Sequence, residues 1–197
     1  MKDTIRRRIV KKELLFLLVI AMLCGASSCK KENTEPNSSN PNVLPPLTHE
    51  GKNTFGCKVN GEVWVAQMPF AVGGAIALEG TYYTNTNMMY LVAKRKLEEE
   101  GKFDRIDILV ENLIQNGDYV MLTDDNQMRG FTDYEGNYNC STYRYNDDLL
   151  RRVIITYFSP SQGIISGTFE MDLINPSCPG DTIRIREGRF DWRMTVY

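Results

Sequence analysis

Histidine is all but absent from this chain, with one residue, His49, among 197. That scarcity removes the usual general base: Ser-His-Asp and Cys-His chemistries need an imidazole beside the nucleophile, and histidine-rich metal sites need several. The five cysteines show no C-x-x-C spacing, so neither a metal nor another cofactor is expected. Gly73-Gly74 lacks the third glycine and the following helix of a phosphate loop, and reads as a turn or bulge. Helix-favouring residues are confined to Leu97-Glu98-Glu99-Glu100, too short to form an element. No apolar run reaches the ~18 residues that cross a bilayer as a helix.

What the chain does have begins at its start. Arg6-Arg7-Arg8, Lys11 and Lys12 precede the 13-residue apolar stretch Leu14 to Ala26, followed by Ser27-Ser28-Cys29. A basic region, a short apolar core and small residues are the order of an exported segment. The arrangement is similar to a bacterial lipoprotein signal, in which cleavage leaves a cysteine that carries acyl chains. That resemblance implies a signal peptide over 1–28 and lipidation (diacylglycerol and palmitate) at Cys29. Cys24 is the weaker choice, because bulky Leu23 sits at the cut. The alternative is an ordinary secretory signal cleaved near Ala26 to Ser28.

Residues 30–53 carry scarcely an apolar side chain and four prolines. Such a segment cannot bury enough surface to offset its ordering entropy, so 29–53 is expected to be a lipidated cysteine and a flexible tether. Lys30-Lys31-Glu32 is similar to the signals that export Bacteroidetes lipoproteins to the outside of the outer membrane. Without residues 1–28 the chain has 17 basic and 23 acidic side chains, a formal charge of −6. That sign argues against nucleic acid or anionic lipid as the main partner of the globular part. Arg151-Arg152 beside Asp147-Asp148 reads as a solvated turn.

Residues 54–197 are long enough for one domain, and their periodicity is two. Phe55 to Val59 and Glu62 to Ala66 flank Asn60-Gly61, whose residue types suit the positive φ of a type I′ turn; the hairpin pairs Cys57 with Trp64 and Phe55 with Ala66. Thr182 to Arg186 and Arg189 to Val196 flank Glu187-Gly188 and predict a second hairpin. It pairs Ile185 with Phe190 and Ile183 with Trp192, leaving Arg184, Arg186, Arg189, Asp191 and Arg193 on the solvent face. Ile165, Gly167, Phe169, Met171 and Leu173 alternate with polar residues as a half-buried strand. Further strands are expected over Met88 to Lys96 and Phe103 to Val110, with a polar turn from Leu97 to Lys102 between them. Shorter ones are expected near Tyr119 to Leu122, Tyr138 to Tyr145 and Val153 to Phe158. About ten short strands predict an all-β domain, an antiparallel β-sandwich in preference to a closed lipocalin-like β-barrel.

The runs Phe55 to Trp64, Ile165 to Glu170 and Asp181 to Asp191 resemble an uncharacterised family of Bacteroidetes lipoproteins. The resemblance implies a cell-envelope location, with an outer-membrane and surface-exposed placement expected, and a β domain. It brings no catalytic or binding residue.

Among the remaining cysteines, Cys57 alternates in phase with Phe55 and Val59 and is expected to be a buried thiol. Cys140 and Cys178 lie in polar, turn-like surroundings, where a disulfide between them is open but not fixed by the sequence. Asp104, Asp107 and Glu111, or Asp124-Asp125, could pair across strands as glycosidase carboxylates do, although charges on exposed strand faces explain them more simply. Tyr82, Tyr83, Tyr134, Tyr138, Tyr143 and Tyr145, with Asn85, Asn87, Asn137 and Asn139, suit sugar stacking or a wet interface. The simpler account is tyrosines alternating into the sheet, and Gly130 to Tyr145 is the stretch to inspect first. The function expected is a non-catalytic binding or accessory module with a glycan or protein partner, held to the membrane through Cys29. A β-barrel carrier of a small apolar ligand comes second and a carboxylate-dependent glycan hydrolase third.

Overall fold

The computed structural model describes residues 42–68, 77–97, 103–121, 131–132 and 140–197, within a compact unit that runs from Ser38 to Tyr197. The expectations for residues 1–28, for Cys29, for Gly73-Gly74 and for the turn at 98–102 lie outside the described residues. Period-two segments form β1 (Thr54–Val59), β2 (Glu62–Val65), β3 (Leu78–Tyr83), β4 (Met88–Lys96), β5 (Phe103–Val110) and β6 (Gly117–Val120). After them come β7 (Phe131–Thr132), β8 (Thr142–Tyr143), β9 (Arg151–Ser159), β10 (Ile164–Ile174), β11 (Thr182–Arg193) and β12 (Thr195–Val196).

Among the described residues the fold is an all-β sandwich of two six-stranded sheets, ordered β2-β1-β11-β10-β9-β6 and β12-β3-β4-β5-β7-β8. Pairing is antiparallel except for β12 on β3. The sheets do not close into a barrel; they are stitched at their margins, where Gln67 bridges to Arg95 and Arg144 to Ile174. Alternation sends one side of each long strand into the gap between the sheets. Met89, Leu91 and Ala93 of β4, Ile106, Ile108 and Val110 of β5, and Ile165, Phe169, Met171 and Leu173 of β10 are all at or below 1% exposure. Each such large side chain contributes about 1.5–3 kcal/mol by leaving water.

The Asn60-Gly61 hairpin forms in the expected register. Both turn residues have positive φ, 50° and 95°; Cys57 faces Trp64, and the Ala66 amide donates to the Phe55 carbonyl at 3.0 Å. The hairpin expected at Glu187-Gly188 does not form. β11 continues through these residues and pairs with β1 on one side and β10 on the other. Ile185 and Phe190 are five positions apart, so an unbroken strand would send them to opposite faces. A bulge at Glu187, whose φ is 53°, absorbs one residue and returns Phe190 and Trp192 to the face of Ile183 and Ile185. A two-residue turn and a one-residue bulge repair the phase equally well, and the choice falls to the neighbours. With β1 and β10 both available, each half of β11 gains two partners where a hairpin would supply one.

Strand β3 carries no strand pattern in the sequence, because Gly80 interrupts the inward row between Leu78 and Tyr82. The glycine is required by what faces it. A Cβ there would collide with the Tyr90 carbonyl and stand 3.0 Å from the indole Cη2 of Trp192, which reaches over from the first sheet. β6 is two residues earlier than expected, β8 is shorter, and Arg151-Arg152 belong to β9 and not to a turn.

The expected tether boundary at residue 54 also shifts. Pro45 packs on Gly56, and residues 48–52 lie over β11 on the outer face of the first sheet, so this end of the segment is part of the folded unit. Composition hid this because, Pro45 apart, the segment docks through three backbone amides and the side chains of Thr48 and His49 and not through a row of apolar residues.

Cys140 and Cys178 form a disulfide with Cα atoms 5.7 Å apart across a sequence separation of 38. Asn175 holds the loop by donating to the Cys140 carbonyl at 2.7 Å. Closing a loop of this length restricts the unfolded chain, so reduction, or a Cys140→Ser, Cys178→Ser double variant, is expected to cost ~2–4 kcal/mol. Urea midpoints with and without reductant measure this; unchanged midpoints would contradict it.

Candidate functional site

The aromatic and asparagine candidates divide by depth. Tyr82, Tyr143 and Tyr145 are buried in the core, at 3%, 7% and 8% exposure. Their hydroxyls reach polar groups at its margin: Tyr82 donates to Asn87 Oδ1 and the Leu113 carbonyl, Tyr143 to Asp181 Oδ2 at 2.7 Å, and Tyr145 to the Asp107 carbonyl. Burial pushes the Tyr145 phenol well above its ordinary pKa, reinforced by the nearby Asp107 charge and by Tyr90. Tyr83 alone of the described four is exposed, stacked on Tyr197 with ring centres 6.3 Å apart. Asn85 and Asn87 belong to the β3–β4 turn. Tyr134, Tyr138, Asn137, Asn139 and half of Gly130 to Tyr145 lie outside the described residues, as do Asp124-Asp125.

The acidic candidates were expected on exposed faces, and two are buried instead. Asp104 and Asp107 are each 1% exposed, whereas Glu111 is exposed. Three positions apart on β5, the two aspartates point to opposite faces and cannot flank one substrate bond. Asp104 accepts from Arg95 Nε at 3.1 Å and from the Trp64 indole N–H at 3.3 Å. Asp107 is held by Arg105 Nε at 2.8 Å and by the Tyr90 hydroxyl at 3.2 Å. Burial, then the Asp107 charge, pushes the Tyr90 phenol up to about 12. Each carboxylate thus neutralises an arginine. The thiol of Cys57 is buried as expected, and that burial pushes its pKa far up, which keeps it protonated and unreactive.

Asp191 departs furthest from the sequence expectation. It is on the outer face of β11 as alternation requires, yet its exposure is 0%. Residues 48–52 wrap it: Thr48 Oγ1 donates at 2.5 Å and the amides of Glu50, Gly51 and Lys52 at 3.1, 2.8 and 3.1 Å, while Ser166 Oγ donates at 2.8 Å. Burial raises its pKa, but these donors outweigh burial and hold the carboxyl below the usual carboxylate value. His49 follows the same segment onto the sheet, with its ring stacked on Tyr157 at 5.4 Å and Nε2 3.1 Å from Thr156 Oγ1. The only histidine therefore sits on the domain, not in a free tether.

The outer face of the first sheet also holds a concavity that the sequence did not reveal. An open hollow of about 660 Å³ lies where the Asn60-Gly61 turn meets the β11 bulge, walled by Lys58, Thr182, Arg184, Arg186 and Glu187. A smaller one of about 300 Å³ adjoins it across Glu187, toward Arg152 and Arg189. The larger hollow is fixed from beneath by reciprocal bonds: the Asn60 amide donates to the Arg184 carbonyl, and Asn60 Oδ1 accepts from the Arg184 amide, both at 2.9 Å. Lys58 Nζ pairs with Glu187 at 2.5 Å and Arg186 Nη1 with Asp172 at 2.6 Å. Arg184 is exposed, and its guanidinium has no ion-pair or hydrogen-bond partner among the described residues. Alternation places Arg184 and Arg186 outward, but Lys58 joins them only because β1 pairs with β11, where Lys58 faces Arg186 across 128 residues of sequence that no local pattern spans.

Comparison with protein-family models, with curated proteins and with solved structures finds no match.

Proposed function

We propose that this chain is a lipid-anchored lipoprotein of a bacterial cell envelope, held to the outer membrane through Cys29 and surface-exposed, with a β-sandwich that serves as a non-catalytic binding module. The order of basic residues, apolar core, small residues and Cys29 supports the anchor, as does the resemblance to Bacteroidetes lipoproteins. The observation that carries the binding reading is the hollow at the β11 bulge, an open recess lined by lysine and arginine and braced by backbone bonds. The three buried carboxylates favour the same reading, since each is engaged by arginine or by several N–H and O–H donors and is poorly placed to move protons. A carrier would need an unfilled interior, whereas the space between these sheets is occupied by side chains of the core cluster.

Metabolic labelling with a palmitate analogue tests the anchor. The wild-type chain is expected to take up label and Cys29→Ser is not. Label that persists in Cys29→Ser and disappears in Cys24→Ser would reverse the assignment.

A further inference from the structure

The hollow at the β11 bulge has a chemistry specific enough to name its ligand class, and naming it rests on the binding-module reading above. We propose that it binds an acidic polysaccharide, with Arg184, Lys58 and Arg186 receiving the anionic group and Asn60 and Thr182 facing the sugar hydroxyls. Three cationic side chains meet there from two strands on a chain whose net charge is negative. Local charge therefore runs against the charge of the whole, as expected where a site selects an anion.

The three cations differ in availability. Arg186 is tied down by Asp172 and by the carbonyls of Ile185 and Met171, at 2.9 and 3.1 Å, so it contributes a fixed charge. Lys58 is shared with Glu187, the bulged residue at positive φ, and can turn to a stronger anion at little cost because both ends of that pair are solvated. Arg184 offers an unused planar fork that matches a carboxylate or a sulfate in two parallel hydrogen bonds. The aliphatic stems of all three supply the apolar walls on which the C–H faces of a sugar ring rest.

A hollow of about 660 Å³ lies within the range of small-ligand sites and admits one or two sugar rings. An acidic peptide fits less well. Peptide interfaces draw their affinity from a few buried aromatic or aliphatic anchors, and the residues that wall this hollow provide no pocket for one. A neutral glycan would leave the arginine fork without a partner.

The test uses the detergent-solubilised full-length chain and four probes: polygalacturonate, dextran sulfate, neutral dextran and poly-glutamate. Calorimetric titration is expected to show binding of at least one anionic glycan, weakening as salt rises, and no binding of neutral dextran. Preference for polygalacturonate identifies the anion as carboxylate, and preference for dextran sulfate identifies it as sulfate. Arg184→Ala is expected to weaken that binding about tenfold while the melting temperature stays unchanged, because the side chain holds nothing else in place. Poly-glutamate bound as tightly as either glycan would overturn the proposal in favour of an acidic peptide. Failure to bind any polyanion, or binding indifferent to Arg184→Ala, would overturn it outright. Neither result touches the broader reading, which would fall instead if the chain turned over a polysaccharide and one Asp or Glu substitution abolished that turnover without unfolding it.

Discussion

Trp64→Ala is expected to lower the unfolding free energy by ~3–5 kcal/mol, read as a drop in urea midpoint at constant slope. The ring is 1% exposed and meets Phe55 edge to face, with centres 5.9 Å apart and planes at 79°. Its indole N–H donates to Asp104 Oδ2, and the Arg95 guanidinium lies 5.6 Å from the ring centre. Alanine would remove the ring and leave a void at a point where the β1–β2 hairpin leans on β4 and β5, so the loss includes a cavity cost as well as lost burial. Trp64→Phe keeps much of the volume and gives up the N–H donor, and a smaller loss of ~1–2 kcal/mol is expected. Trp192→Ala provides the counterpart, since its ring fills the space over Gly80 in the opposite sheet. A loss within ~0.5 kcal/mol at either tryptophan would place that ring on the surface and contradict the packing described above.

Asp191→Ala is expected to be of similar severity, ~3–5 kcal/mol, although no apolar core is touched. The carboxylate satisfies three backbone amides and two hydroxyls, and without it those donors face each other around an empty space. Residues 48–52 would then leave the sheet, taking the His49–Tyr157 contact with them. Hydrogen exchange at the amides of Glu50, Gly51 and Lys52 separates this from a general loss of stability. These amides should become unprotected in the variant while those of β10 stay protected. Protected strap amides in Asp191→Ala would refute the clamp.

The same group gives the domain an acid limit. Because the folded-state pKa of Asp191 is depressed below its unfolded value, its stabilising contribution is complete above the unfolded aspartate value of about 3.9 and is lost as pH falls through the lower folded value. Stability of the wild-type domain is therefore expected to decline below about pH 4, and Asp191→Asn should flatten that decline.

The elements legible in the sequence are those whose information is local. Asn60-Gly61 specifies its own turn through the positive φ both residues must adopt, and β4 and β5 occupy the residues that their alternation marks. The inward row of β10 follows for the same reason. Glu187-Gly188 predicts a hairpin that does not form: a turn and a bulge correct the same phase slip, and only the presence of β1 and β10 on either side decides for the bulge. Gly80 hides β3 from the local pattern, because the residue that justifies it, Trp192, lies 112 positions away.

By itself the sequence determined the all-β class, the first hairpin with its register, and the inward face of most strands. These depend on residue type and on spacings of a few positions, which side-chain direction along a strand translates directly into structure. Only the tertiary structure decided that Asp191 is buried, that Cys140 meets Cys178, that Asp104 and Asp107 are internal counter-ions, and that Lys58 stands beside Arg184 and Arg186. Each of these depends on which strands and connecting segments the fold sets side by side. That order is set by the summed packing of two sheets and not by any short run of residues.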